Sequence, residues 1–177
     1  MPRPFIIWKR ILRSWQIPVY KYPASQAAEN NELDQYRASR KANIACKEAI
    51  EAAIREHYRD NRLGSKAVNQ VLEEFGMERM MYVLANTVKQ KDWDARFSPD
   101  NKAWAATVVI PPNPDPWGTD RNCYFVVDSH PGLTDLFLKQ ARKVQQDLEK
   151  KPSVRDKLRT APDTTRTTSP KKHTQER

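Results

Sequence analysis

The sequence predicts a single α+β domain, mainly helical, with a small antiparallel sheet and a disordered C-terminal tail. Three observations lead there. Apolar residues recur at spacings of three and four through most of the chain, two short apolar runs flank the proline-rich stretch PPNPDPWGTDRN, and apolar residues almost vanish after Lys151. The 177 residues, 38% of them hydrophobic, suffice for one compact core with flanking segments. The expected boundaries are a basic amphipathic segment over 1–16, a globular domain over 17–150 and a basic tail over 151–177.

Along the chain, Phe5, Ile6, Trp8, Ile11, Leu12 and Trp15 interleave with Arg3, Lys9, Arg10 and Arg13, the pattern of a short basic helix that packs back onto the domain. Residues 17–20 suit an edge strand ending at Pro23. Ser25 is a candidate cap for a short helix over 26–30. The longest helix is expected over 32–59, with Leu33, Tyr36, Cys46, Ile50, Ala53, Ile54 and Tyr58 on one stripe. Ser39 and Asn43 share that stripe and need partners, because an unsatisfied buried polar group costs about 1–3 kcal/mol. The expected partner of Asn43 is the polar corner at 92–104.

A second helix starts at Ser65 and stops at Gly76, and a third runs from Met77 or Glu78 to about Lys89, burying Met80 or Met81, Leu84 and Val88. Ser98-Pro99 combines a capping hydroxyl with proline at the first helical position, so a short fourth helix is expected to end near Ala106. The apolar runs 108–110 and 124–127 then read as paired strands, with 17–20 as a possible third. Pro131 opens the last helix, whose inward face is Leu133, Leu136, Phe137, Ala141, Val144 and Leu148.

Charge narrows the partners. The net charge of +9 divides into +5 over residues 1–23, +5 over 151–177 and −1 over 24–150. Clustered Lys and Arg bind nucleic acid by counterion release, so non-specific attachment belongs to the ends, with Lys157, Arg159, Arg166, Lys171 and Lys172 as the tail candidates. A near-neutral body argues against a groove-reading fold. The stretch 92–104 is chemically the most particular: Asp92, Trp93, Asp94, Arg96, Ser98, Asn101 and Trp104, preceded by Asn86, are either a hydrogen-bonded corner or a recognition surface.

Each catalytic or metal reading meets a simpler one. Asp92, Asp94 and Asp100 lack the repeated oxygen ligands of a calcium loop, and Arg96 is a ready internal partner, so an Asp–Arg pair fixing the loop is preferred to a metal. Trp93 and Trp104, with Phe97, suit base stacking but are expected to close the core. Cys123, Asp128 and His130 lie within eight residues. Their spacing along a strand puts Cys123 and Asp128 on opposite faces, however, and no third orienting group accompanies them. Cys46 among alanines reads as a reduced, buried thiol, and His57 as a residue near the dipole of a helix end. No catalytic residue, cofactor or metal is therefore expected. No segment reaches the roughly 20 apolar residues of a membrane span, and an intracellular, cytoplasmic setting follows from the unpaired cysteines.

The segments YPASQAAENNELDQYRASRKANIACKEAIEAAI, YVLANTVKQKDWDARFSPDNKAWA and FVVDSHPGLTDLFLKQAR resemble, in this order, a domain family of unknown function. That family occurs on conjugative transposons and related mobile elements of gut Firmicutes, alone or as one module of large proteins. The resemblance covers roughly residues 17–142 and departs at Ala95, where the family's aspartate-glycine-arginine corner has glycine. It implies a mobile-element context and carries no activity. The resulting expectation is a non-enzymatic accessory module that binds a protein or nucleoprotein of the element through the 92–104 corner. The alternatives are an inhibitor of a host defence nuclease, and an enzyme acting on nucleotides or nucleic acid.

Overall fold

The computed structural model describes residues 17–111, 125–127 and 132–150. Among these, the order is α1 (Ala24–Glu29), α2 (Leu33–His57), β1 (Tyr58–Arg59), β2 (Arg62–Leu63), α3 (Ser65–Phe75), α4 (Met77–Gln90), α5 (Pro99–Thr107) and α6 (Leu133–Lys150). The expected class holds: a mainly helical domain with one small antiparallel sheet. No helix among the described residues is long and apolar enough to cross a membrane.

The centre of the fold is α4. Every residue from Arg79 to Val88 is buried, so this helix is enclosed on all sides, with α2, α3, α5 and α6 packed around it. The core joins Cys46, Ile50 and Ile54 of α2 to Val68, Val71 and Phe75 of α3, Met80, Leu84 and Val88 of α4, and Phe137, Leu138 and Ala141 of α6. Between α3 and α4 the chain turns on Gly76 alone. Its φ of 78° and ψ of 161° belong to a region that side chains with a Cβ avoid, while its amide still closes α3 on the Leu72 carbonyl at 2.9 Å.

The sheet sits where the sequence suggested the end of a helix. Asp60 and Asn61 both adopt positive φ, 50° and 59°, which suits the two-residue turn that matches strand twist, and Tyr58 pairs with Leu63 across it. The expected strands at 17–20, 108–110 and 125–127 are absent; these stretches are irregular. Side chains take over the hydrogen bonds a ladder would supply. The Val126 amide donates to Thr87 Oγ1 at 2.9 Å and the Val127 amide to Glu51 Oε1 at 2.8 Å, which lays this segment on α4 and α2. Tyr124 lies outside the described residues.

Caps differ too. Pro23, not Ser25, precedes α1, and Ser98 precedes α5 without its hydroxyl capping that helix. On α6, Leu136 and Leu148 are 38% and 50% exposed, so the inward stripe is narrower than expected.

A buried cation organises the opposite end of α4. Arg79 is fully enclosed, and among the described residues no acidic group forms an ion pair with its guanidinium. Nη1 donates to the Ser39 carbonyl at 3.0 Å, to Ser39 Oγ and to Asn43 Oδ1, while Nη2 donates to the Ile17 carbonyl at 2.6 Å and the Pro18 carbonyl at 3.4 Å. The Ser39 hydroxyl donates in turn to Pro18 O at 2.7 Å. Asn43 thus serves Arg79 and not the 92–104 corner, which corrects the expectation. Desolvation draws the Arg79 pKa below its ordinary value. Next to this clamp, Tyr20 packs edge-on against Tyr22 at 5.2 Å and donates to Gln35, fixing the entering chain on α2.

Candidate functional site

The corner begins where α4 ends. The Asp94 amide returns to the Lys91 carbonyl at 2.9 Å, a tight turn that faces the Asp94 carboxylate toward Arg96. Oδ1 accepts from the Arg96 amide at 3.0 Å and from Nε at 2.8 Å, and Oδ2 accepts from Nη2 at 2.5 Å. The fork is bidentate, its carboxylate 4% and its guanidinium 44% exposed. Hydrogen bonds from Arg96 hold the Asp94 carboxyl down at about pKa 2. Ala95 takes no positive φ, since Asn31, Asp60 and Asn61 are the only non-glycine residues that do so among those described. The pair closes the turn without glycine.

Behind the turn lies a second carboxylate, which the sequence did not single out. Asp135, in the first turn of α6, accepts on Oδ1 from the Ser98 amide at 2.9 Å, the Ser98 hydroxyl at 3.1 Å and Asn101 Nδ2 at 2.7 Å, and on Oδ2 from Lys139 at 3.0 Å. It satisfies the amide of the residue that precedes α5, a cap supplied across the fold. Burial pushes the Asp135 carboxyl up, but these donors outweigh it and leave the group below its ordinary value. Asn101 Oδ1 accepts from Arg142 at 2.8 Å, and the Arg142 guanidinium stands 5.9 Å from the Trp104 ring centre. Phe97 is buried and Trp104 is partly buried against the core.

The corner therefore has two sides. Asp94, Phe97, Ser98 and Asn101 face inward and fasten it. Asp92 and Trp93 face outward, and Trp93 is 80% exposed, so it does not close the core as expected. Lys102 of α5 donates to the Asp92 carbonyl at 2.6 Å and bridges the turn from outside. Between α4 and α5 a shallow groove of about 210 Å³ is lined by Val88, Lys89, Asp92, Lys102, Ala105 and Ala106.

The other sequence candidates are spread apart. Ser39 and Asn43 belong to the Arg79 clamp. Asn86 is buried in α4 and accepts from Gln90 at 3.3 Å. Burial pushes the Cys46 thiol up to about 12. His57, the last residue of α2, lies 2.7 Å from Gln70 Oε1. Among the described residues no group of three or more His, Cys, Asp or Glu side chains is placed to hold a metal ion. Cys123, Asp128, His130, the basic segment 1–16 and the tail residues Lys157, Arg159, Arg166, Lys171 and Lys172 lie outside the described residues.

A signal for the two missed residues exists in retrospect. Arg79 stands directly before the unbroken run Met80 to Ala85, which leaves no polar face for it to join. Asp135 is an acid in a first helical turn with Lys139 one turn later.

The family model for proteins of unknown function named DUF3849 matches residues 19–146. The chain belongs to the DUF3849 family. No curated protein and no solved structure matches it. The DUF3849 match contains the whole corner, its groove, the Asp135 latch and Arg79, and leaves out residues 1–18 and the basic tail.

Proposed function

We propose that this DUF3849 domain is a non-enzymatic binding module that presents the outer face of the 92–104 corner to a protein or nucleoprotein. The observation that carries this is Trp93, a large aromatic left 80% exposed on a turn braced from both sides by the Asp94–Arg96 fork and the Lys102 bridge. An exposed tryptophan gains free energy when a partner covers it, and a preformed turn loses little entropy in doing so. Trp93 stands outside the core cluster that Phe97 and Trp104 join.

The biological setting we propose, suggested by the resemblance to a domain family found on mobile genetic elements, is an accessory protein of such an element; the unpaired cysteines suggest that it acts in the cytoplasm. The basic ends, including Lys157, Arg159, Arg166, Lys171 and Lys172, add non-specific attachment to nucleic acid. That part predicts a steep salt dependence of DNA binding whose slope falls when residues 151–177 are removed. The corner is tested by affinity capture from host extract with the full chain and with Trp93→Ala. The substitution is expected to leave folding intact and abolish capture. Undiminished capture rejects the corner as the binding face.

A further inference from the structure

The groove beside Trp93 holds ammonium groups that the fold itself does not neutralise. Lys89 Nζ donates to the Val108 carbonyl at 2.5 Å and Lys102 Nζ to the Asp92 carbonyl at 2.6 Å. Among the described residues neither meets a carboxylate. Three other lysines are held by acids, Lys21 by Glu78 at 3.2 Å, Lys47 by Glu51 at 3.3 Å and Lys139 by Asp135 at 3.0 Å, whereas Lys91, like the two in the groove, donates to a backbone carbonyl, that of Val126 at 3.2 Å. A backbone carbonyl occupies one of the three donors of an ammonium and adds no opposite charge. Both groups are thus positioned by the fold with donors to spare, over a floor of Val88, Ala105 and Ala106.

Size and charge select the occupant. At about 210 Å³ the groove is below the 300–1,000 Å³ or so of small-molecule sites, but it has room for a side chain. Nucleic acid is disfavoured because Trp93 is the single exposed aromatic among the described residues, and such strands are held by a basic track with successive stacking rings. The geometry points to a carboxylate side chain from an acidic segment of a partner protein, bound between Lys89 and Lys102 while Trp93 covers the apolar residues beside it. This rests on the binding-module reading and specifies its partner. Asp92 is the opposing charge among the lining residues and works against a bound carboxylate.

The test is an NMR titration of the isotope-labelled full chain with a short peptide of Glu, Leu and Gly, its Glu→Lys counterpart, and oligodeoxythymidylate. The acidic peptide is expected to shift the amides of Lys89, Lys102 and Trp93. Lys89→Ala with Lys102→Ala is expected to weaken it about tenfold, as loss of charge-assisted hydrogen bonds does. Asp92→Asn is expected to tighten it about two- to threefold. No binding of the acidic peptide, equal binding of its lysine counterpart, or tighter binding of the oligonucleotide overturns the proposal. In the host-extract capture, loss with Trp93→Ala but not with the double lysine variant overturns the groove chemistry and leaves the binding module standing. Retention in both variants removes both.

Discussion

Arg79→Met removes the buried cation while keeping most of its volume, so the cost measures hydrogen bonds and not a cavity. Three short contacts are lost, to Ser39 O, Asn43 Oδ1 and Ile17 O. Hydrogen bonds to a charged group contribute about 1.5–3 kcal/mol each, but burying a guanidinium costs several kcal/mol, so most of the gross gain is cancelled. What remains is the penalty on the acceptors left behind. Ser39 O still accepts within α2, whereas Asn43 Oδ1 is buried and Ile17 O partly so, at about 1–3 kcal/mol each. The net destabilisation expected is about 2–4 kcal/mol in urea unfolding followed by circular dichroism. Asn43→Ala made on top of Arg79→Met should cost less than the sum of the single changes by about 1–2 kcal/mol, because the two share one network. A variant within about 0.5 kcal/mol of the parent refutes the clamp.

Gly76→Ala forces a Cβ into a positive-φ, extended-ψ conformation and should cost about 1–3 kcal/mol by the same unfolding measurement; no loss means that the α3–α4 turn is not strained against side chains. The Asp94 carboxyl has a folded value of about 2 against an ordinary 3.8, so its stabilisation is complete above roughly pH 4 and disappears as pH falls through 4 toward 2. Asp135 shifts in the same direction, and Asp94→Asn should therefore flatten, without abolishing, the acid limb of melting temperature against pH. An unchanged limb contradicts the fork. With Cys123→Ser in place, Cys46 should resist a thiol reagent in the native protein and react fully in urea, since burial keeps it protonated and enclosed; rapid native labelling contradicts this.

Helices were readable in the sequence because burial of one stripe imposes a period that residue order displays directly. Leu33 to Ile54, Val68 to Phe75 and Leu133 to Ala141 all carry it. What the sequence hid are interactions whose partners lie far along the chain. Val126 has the composition of a strand residue, yet its amide meets the hydroxyl of Thr87, and no local pattern announces such an exchange of ladder for side chain. The hairpin at Tyr58–Arg59 and Arg62–Leu63 is too short for alternation to register, leaving Asp60-Asn61 as its sole trace. At the corner, the Asp94–Arg96 pair follows from a separation of two residues, but the inward direction of Ser98 and Asn101 depends on Asp135, 37 and 34 residues away. The outward face of Trp93 was likewise hidden, because composition favours a tryptophan in the core and only the turn geometry turns it out.

The central claim is that the braced turn carrying Trp93 is where the domain meets its partner. A photo-crosslinking amino acid placed at position 93, compared with the same residue at exposed Arg62 on the hairpin, tests it most directly in host cells. The account predicts a discrete crosslinked species from position 93 and none from position 62. Crosslinks of equal yield from both positions, or from position 62 alone, contradict it.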